Sequence, residues 1–161
     1  MTDYNSSDVV TGNQATATQY NNLRADVIIG TATAGDILQQ DANGPFVETG
    51  DAYAKKAEIR VTRSGTYRIK FDLKAPSGVG YDAYGKIYRN GGAVGTERTT
   101  DSTSYVQFSE DISGWTENDL LQLYLHKSGA GSNATAQDLE LYCAEIASRW
   151  EWLYENLYAT A

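Results

Sequence analysis

Residues 67 to 74 alternate without a break. Tyr67, Ile69, Phe71 and Leu73 are apolar, and Arg68, Lys70, Asp72 and Lys74 between and after them are charged. Successive side chains of a strand point to opposite faces, so this stretch buries one face and wets the other only as a β-strand. The same period recurs in Ala57, Ile59 and Val61, in Leu121, Leu123 and Leu125, and in Leu139, Leu141 and Cys143. Tyr84 to Arg89 reads as a further strand. Asn90-Gly91-Gly92 follows it as a type I′ hairpin signal, because that turn needs positive φ, and Ala93 to Arg98 would return. Val106 and Phe108 mark a strand before Ser113-Gly114, with short ones expected around Ile37-Leu38 and Phe46-Val47. Ser64-Gly65, Ala75-Pro76-Ser77-Gly78 and the Ser128 to Asn133 loop punctuate the series. About eight one-sided strands and no long helix predict an all-β fold, an antiparallel β-sandwich or jelly roll over residues 35–145.

The flanks read differently. In residues 1–34, Thr16-Ala17-Thr18-Gln19 fits a capping box, and Tyr20, Leu23, Val27 and Ile28 follow with helical spacing up to Gly30. A helix this short is marginal alone, so the expectation is an arm that docks through Tyr20, Leu23 and Ile28 on its own domain or on another chain. In residues 146–161, Ile146, Trp150, Leu153 and Leu157 suit a helix, although Trp150, Trp152 and Tyr154 also suit a strand. Chain ends fray unless tied down, so Trp150 and Trp152 are expected to pack on the sandwich or on a neighbouring subunit.

Composition excludes several classes. A chain of 161 residues has room for one domain. Its net charge of −8 argues against nucleic acid and anionic membrane as partners, and no apolar run is long enough to span a bilayer. The first residues are polar, so no secretory signal is expected. Cys143 is the one cysteine and His126 the one histidine, which leaves no disulfide framework and no Cys/His metal cluster.

Catalytic signatures are missing as well. His126 has no nucleophile motif beside it and reads as a solvent-facing strand residue. Cys143 shares the inward parity of Leu139 and Leu141 and reads as a small buried hydrophobe. Glu110-Asp111 and Glu117 with Asp119 read as solvated loop charge rather than a converging glycosidase pair, and no calcium-loop spacing is present. The glycines from Gly78 to Gly85 and Gly91 to Gly95 lie between strands, so hairpins explain them better than a phosphate loop. No cofactor, metal or catalytic residue is expected, and the chain reads as a non-enzyme.

Two surface features remain. An acidic protein carries a basic middle, and Arg68, Lys70 and Lys74 share the outward face of one strand, with Arg60 and Lys86 as candidates for the same face. Such a stripe fits a solvated sheet face, or a surface that meets an acidic patch on another subunit. Tyr81, Tyr84, Tyr88, Tyr105 and Tyr124 are expected to be exposed, and Trp115 to sit in a loop. Tyrosine suits interfaces and sugar-binding surfaces because its ring is apolar and its hydroxyl polar.

Ser64-Gly65-Thr66-Tyr67-Arg68-Ile69-Lys70-Phe71, Lys86-Ile87-Tyr88-Arg89-Asn90-Gly91-Gly92 and Asp119-Leu120-Leu121-Gln122-Leu123-Tyr124 resemble strand motifs of small tailed-bacteriophage virion proteins. Their order is similar to that of tumour-necrosis-factor-like trimeric jelly rolls, and Thr18 to Asp26 resembles the openings of phage structural proteins. The resemblance implies a homotrimeric virion building block made in the host cytoplasm. Foremost it implies a head decoration protein that stabilises the capsid by binding the major capsid protein. The alternative is a tail fibre, receptor-binding or carbohydrate-binding β-sandwich module that contacts a tail protein or a host surface glycan.

Overall fold

The structure, a computed structural model, describes residues 31–75, 80–129 and 133–144. Tyr20, Leu23, Ile28, Trp150 and Trp152, with the expected arm, its helix and the aromatic tail, lie outside the described residues. The alternating segments are all strands. In chain order they are β1 (Ile37–Ala42), β2 (Phe46–Glu48), β3 (Ala54–Arg60), β4 (Gly65–Lys74) and β5 (Ala83–Arg89). β6 (Gly92–Ala93), β7 (Arg98–Thr100), β8 (Val106–Trp115), β9 (Leu120–Lys127) and β10 (Ala134–Cys143) follow.

They form two antiparallel five-stranded sheets. Sheet A runs β1-β10-β4-β8, with β2 also paired to β10, and sheet B runs β3-β9-β5-β6, with β7 also paired to β5. β1 pairs with the far end of β10 and β2 with its beginning, so together they make one broken edge strand. β6 and β7 divide β5 in the same way. Ten strands therefore fill eight positions, as the alternation predicts. In chain order those positions run first-eighth-third-sixth in one sheet and second-seventh-fourth-fifth in the other, the connectivity of a jelly roll.

The core lies between the sheets. Tyr67, Ile69, Phe71 and Leu73 of β4 and Leu139, Leu141 and Cys143 of β10 face Ile87 of β5 and Leu121, Leu123 and Leu125 of β9. Gly85 makes room for this packing, since a Cβ there would stand 2.7 Å from Cε2 of Phe71. Ala32 is buried as well, and its backbone is held by Ser64 and Thr66. A largely buried ion pair, Lys56 Nζ to Glu48 Oε2 at 2.7 Å, ties β3 to β2 and so one sheet to the other.

Two irregularities change what the alternation alone shows. In β8, Ile112 pairs with Tyr67 and Trp115 with Gly65, so the segment carries one extra residue at Gly114, whose φ is 78°. This bulge brings Ile112 and Trp115, three apart, to the same inner face. Trp115 is thus a strand residue only 2% exposed, not a loop aromatic. In β10, Asp138 has φ 50° and sits in a second bulge, so Ala134 and Ala136 face inward before the bulge and Leu139 and Leu141 after it. The expected hairpin is present, with Asn90 at φ 52° and Gly91 at φ 85° joining Arg89 to Gly92.

Candidate functional site

Sheet B carries the molecule's densest group of described aromatic rings on its outer face. Ala83, Gly85 and Ile87 of β5 point into the core, so Tyr84, Lys86 and Tyr88 point out. Leu121, Leu123 and Leu125 of β9 place Gln122, Tyr124 and His126 outward in turn. The antiparallel register sets Tyr84 opposite His126, Lys86 opposite Tyr124 and Tyr88 opposite Gln122. On the other side of β9, β3 sets Lys55 beside Tyr124 and Glu58 beside Gln122. Tyr53, just before β3, adds a fifth ring.

The rings adjoin one another. Tyr84 and His126 lie parallel, 4.2 Å apart at an interplanar angle of 4°. Tyr53 meets His126 edge-on at 4.4 Å and lies 6.1 Å from Tyr88. Tyr88 stacks on Tyr124 at 4.0 Å. Five half-buried rings thus form one continuous apolar strip across β5, β9 and the segment that leads into β3. Cross-strand aromatic pairs stabilise a sheet, and each of these five residues remains partly exposed.

Polar groups hold the strip in place. Tyr53 donates its hydroxyl hydrogen to Glu97 Oε2 at 2.6 Å, and burial together with this carboxylate pushes its ionisation well above the ordinary tyrosine range. Gln122 accepts from the Gly91 amide at 2.8 Å and donates to Glu58 at 2.8 Å. Lys55 lies 2.8 Å from the same carboxylate, and these two hydrogen bonds hold Glu58 below its usual range. The hairpin turn is fixed to the sheet by Asn90, which donates to Asp119 at 2.6 Å and accepts from the Leu120 amide at 2.8 Å.

The basic stripe lies elsewhere. Arg68, Lys70 and Lys74 do share the outward face of β4, but that face belongs to sheet A. Arg60 and Lys86 are on β3 and β5 of sheet B, so they are not part of it. Most consecutive strand positions here alternate between sheets, with the fourth and fifth both in sheet B, and parity along one strand cannot reveal which sheet it joins. Arg68 donates to both oxygens of Asp111 at 2.8 and 3.1 Å and to Asp36 at 2.7 Å. Lys70 sits 4.2 Å over the ring of Tyr142, and Lys74 4.6 Å over the ring of Tyr105.

The residues weighed for catalysis have other surroundings. His126 is walled by two tyrosine rings, and its Nδ1 lies 3.2 Å from the carbonyl of Lys127. It is a member of the aromatic strip rather than a lone solvent-facing residue. Cys143 is buried, and burial raises its thiol pKa. Glu110 accepts from the Thr96 amide and hydroxyl, while Asp111 is held by Arg68. Asp119 accepts from the Thr116 amide. Among the described residues, no three His, Cys, Asp or Glu side chains group as metal ligands.

No protein-family model and no curated protein matches the chain. Solved structures similar to it include the CBM22-1 xylan-binding domain of Paenibacillus barcinonensis Xyn10C. That structure is 16% identical over 73% of this chain and 100% of its own, at a TM-score of 0.45. The sugar-binding C-terminal domain of EclA is 14% identical over 68% of this chain and 84% of its own, at 0.47. TmCBM61, solved with β-1,4-galactotriose, is 15% identical over 61% of this chain and 69% of its own, at 0.40.

Proposed function

We propose that this chain is a non-catalytic glycan-binding module and that the outer face of sheet B is its binding surface. One observation carries the reading: Tyr53, His126, Tyr84, Tyr88 and Tyr124 form an unbroken strip of neighbouring rings, stacked, tilted or edge-on, on one sheet face. A pyranose ring has an apolar face of C–H bonds and a rim of hydroxyls. A row of aromatic rings with Lys86 among them, bordered by Lys55, Glu58 and Glu97, matches both parts. The strands already hold the rings in place, so binding would cost little side-chain entropy. The slight likeness to known sugar-binding modules adds no weight, because the strip alone supports the reading.

Binding of the intact protein to a broad glycan panel tests it, with Tyr88→Ala and Tyr124→Ala as probes. The expected result is at least one glycan bound by the parent and lost by both variants. Silence across the panel, or binding unaffected by either substitution, overturns it. A place on a virion fits the same face in one form only. A tail-fibre or receptor-binding protein needs a contact with a host surface glycan, which such a strip would supply. The trimeric head-decoration role rests on the sequence resemblance alone.

A further inference from the structure

Lys86 stands in the middle of the aromatic strip. Tyr84 and Tyr88 flank it on its own strand, and Tyr124 lies opposite it. The other lysines all have a partner. Lys55 pairs with Glu58, Lys56 with Glu48 and Lys127 with Asp51, while Lys70 and Lys74 each sit over a tyrosine ring. Among the described residues Lys86 has neither a carboxylate within ion-pair distance nor a ring beneath its ammonium group. The carboxylates that border the strip are engaged elsewhere: Glu58 with Lys55 and Gln122, and Glu97 with the Tyr53 hydroxyl. Lys86 is half-buried among these neighbours.

We infer that the strip takes an anionic sugar, a glycan whose residues carry a carboxylate, and that Lys86 supplies the counter-charge. This inference rests on the glycan-binding reading above. Stacking on Tyr88 and Tyr124 would hold the sugar ring, and the Lys86 ammonium group would donate to the carboxylate at its edge. A charge-assisted hydrogen bond of this kind is roughly twice as strong as a neutral one and is weakened by salt. Lys86 is a point charge with rotatable donors, which suits a carboxylate presented in more than one orientation.

The test compares trigalacturonic acid with galactotriose, calorimetrically, on the parent, Lys86→Met and Tyr124→Ala. A control on sheet A, Lys70→Met, removes a lysine of the same kind from the opposite face. The expected result is that the parent binds the acidic trisaccharide about tenfold or more tighter than the neutral one. Lys86→Met should erase that preference and its salt dependence, and Lys70→Met should keep both. If the two sugars bind the parent equally well and Tyr124→Ala abolishes both, the charge inference fails while the glycan reading stands. If neither these probes nor the broad panel binds, both fail together.

Discussion

The two outer faces of the sandwich are built from the same residue types and use them in opposite ways. On sheet A, cations and rings satisfy one another. Arg68 is held by Asp111 and Asp36, Lys70 covers Tyr142, and Lys74 covers Tyr105. On sheet B, rings stack on rings, and Lys86 at their centre is left without a partner among the described residues. A lysine over a tyrosine gives its charge a partner, whereas rings that stack on one another leave the lysine between them without one. The contrast shows that counting basic residues on a strand says little about binding. What matters is which of them are already paired.

The strongest challenge to this comparison comes from beneath the faces rather than from either of them. Trp115 is buried where the β8 bulge turns it inward, with Arg89 5.7 Å from its ring. Trp115→Ala should cost about 3–5 kcal/mol of stability by leaving a large cavity. It should leave the glycan affinity of the folded fraction unchanged, because the ring is not on the surface. Chemical denaturation and binding to the surviving native protein measure the two effects separately. A loss of affinity with unchanged stability would place Trp115 in the site instead.

The next effect separates the faces directly. Tyr88→Ala and Tyr124→Ala remove stacked rings from sheet B, and each should weaken glycan binding by about 2 kcal/mol, near thirtyfold. Tyr142→Ala takes a ring of the same kind from sheet A, where its hydroxyl donates to Glu140 at 2.9 Å, and should leave affinity unchanged. Equal losses at Tyr88 and Tyr142 would erase the distinction.

The same contrast explains how far the sequence could be read. The alternation of Tyr67 to Lys74, the Asn90-Gly91 turn and the inward parity of Cys143 follow from the backbone period and local turn geometry, so they were legible. The Trp115 error has a local cause too. A glycine with positive φ serves a hairpin turn or a strand bulge equally well, and Gly114 is the second. Asp138 hid the first half of β10 in the same way, by shifting the alternation between Ala136 and Leu139. The strip was only half legible. The outward parity of Tyr84, Tyr88 and Tyr124 could be read from each strand, but their adjacency depends on β5 pairing with β9 across the residues from Asn90 to Asp119. Tyr53 lies outside any strand, and His126 looked isolated because its neighbours come from other strands. The outward aromatic parity shared by Tyr84 to Arg89 and Leu121 to His126 is the sequence signal for the strand part of the strip, and Tyr53 has none.

A smaller effect concerns how the strip is held. Tyr53→Phe keeps the ring over His126 and removes the hydroxyl that donates to Glu97. About 1 kcal/mol of stability should be lost near neutral pH. The alkaline limb should change as well. The folded state raises the ionisation of Tyr53 above the unfolded value of 10.0, so wild-type stability is held below pH 10 and falls as pH rises past it. Tyr53→Phe should show less of this decline, as urea titrations at pH 9 and pH 11 would measure. An unchanged alkaline slope would mean that Tyr53 and Glu97 are not coupled in solution.

The smallest effect belongs to the opposite face and the opposite end of the pH scale. The hydrogen bonds from Arg68 hold Asp111 below its ordinary value of 3.8, outweighing the opposing pull of burial. A carboxylate depressed in the folded state contributes stability above the unfolded pKa and loses it as pH falls through the folded one. Asp111→Asn should therefore flatten the loss of stability below pH 4 and change little at pH 7, since solvent screens an ion pair this exposed. Glycan affinity should not move, because the Arg68 cluster is on sheet A and the strip is on sheet B. A substitution here that weakened binding as much as Tyr124→Ala would show that the two faces act as one surface, and the distinction between paired and unpaired faces would no longer hold.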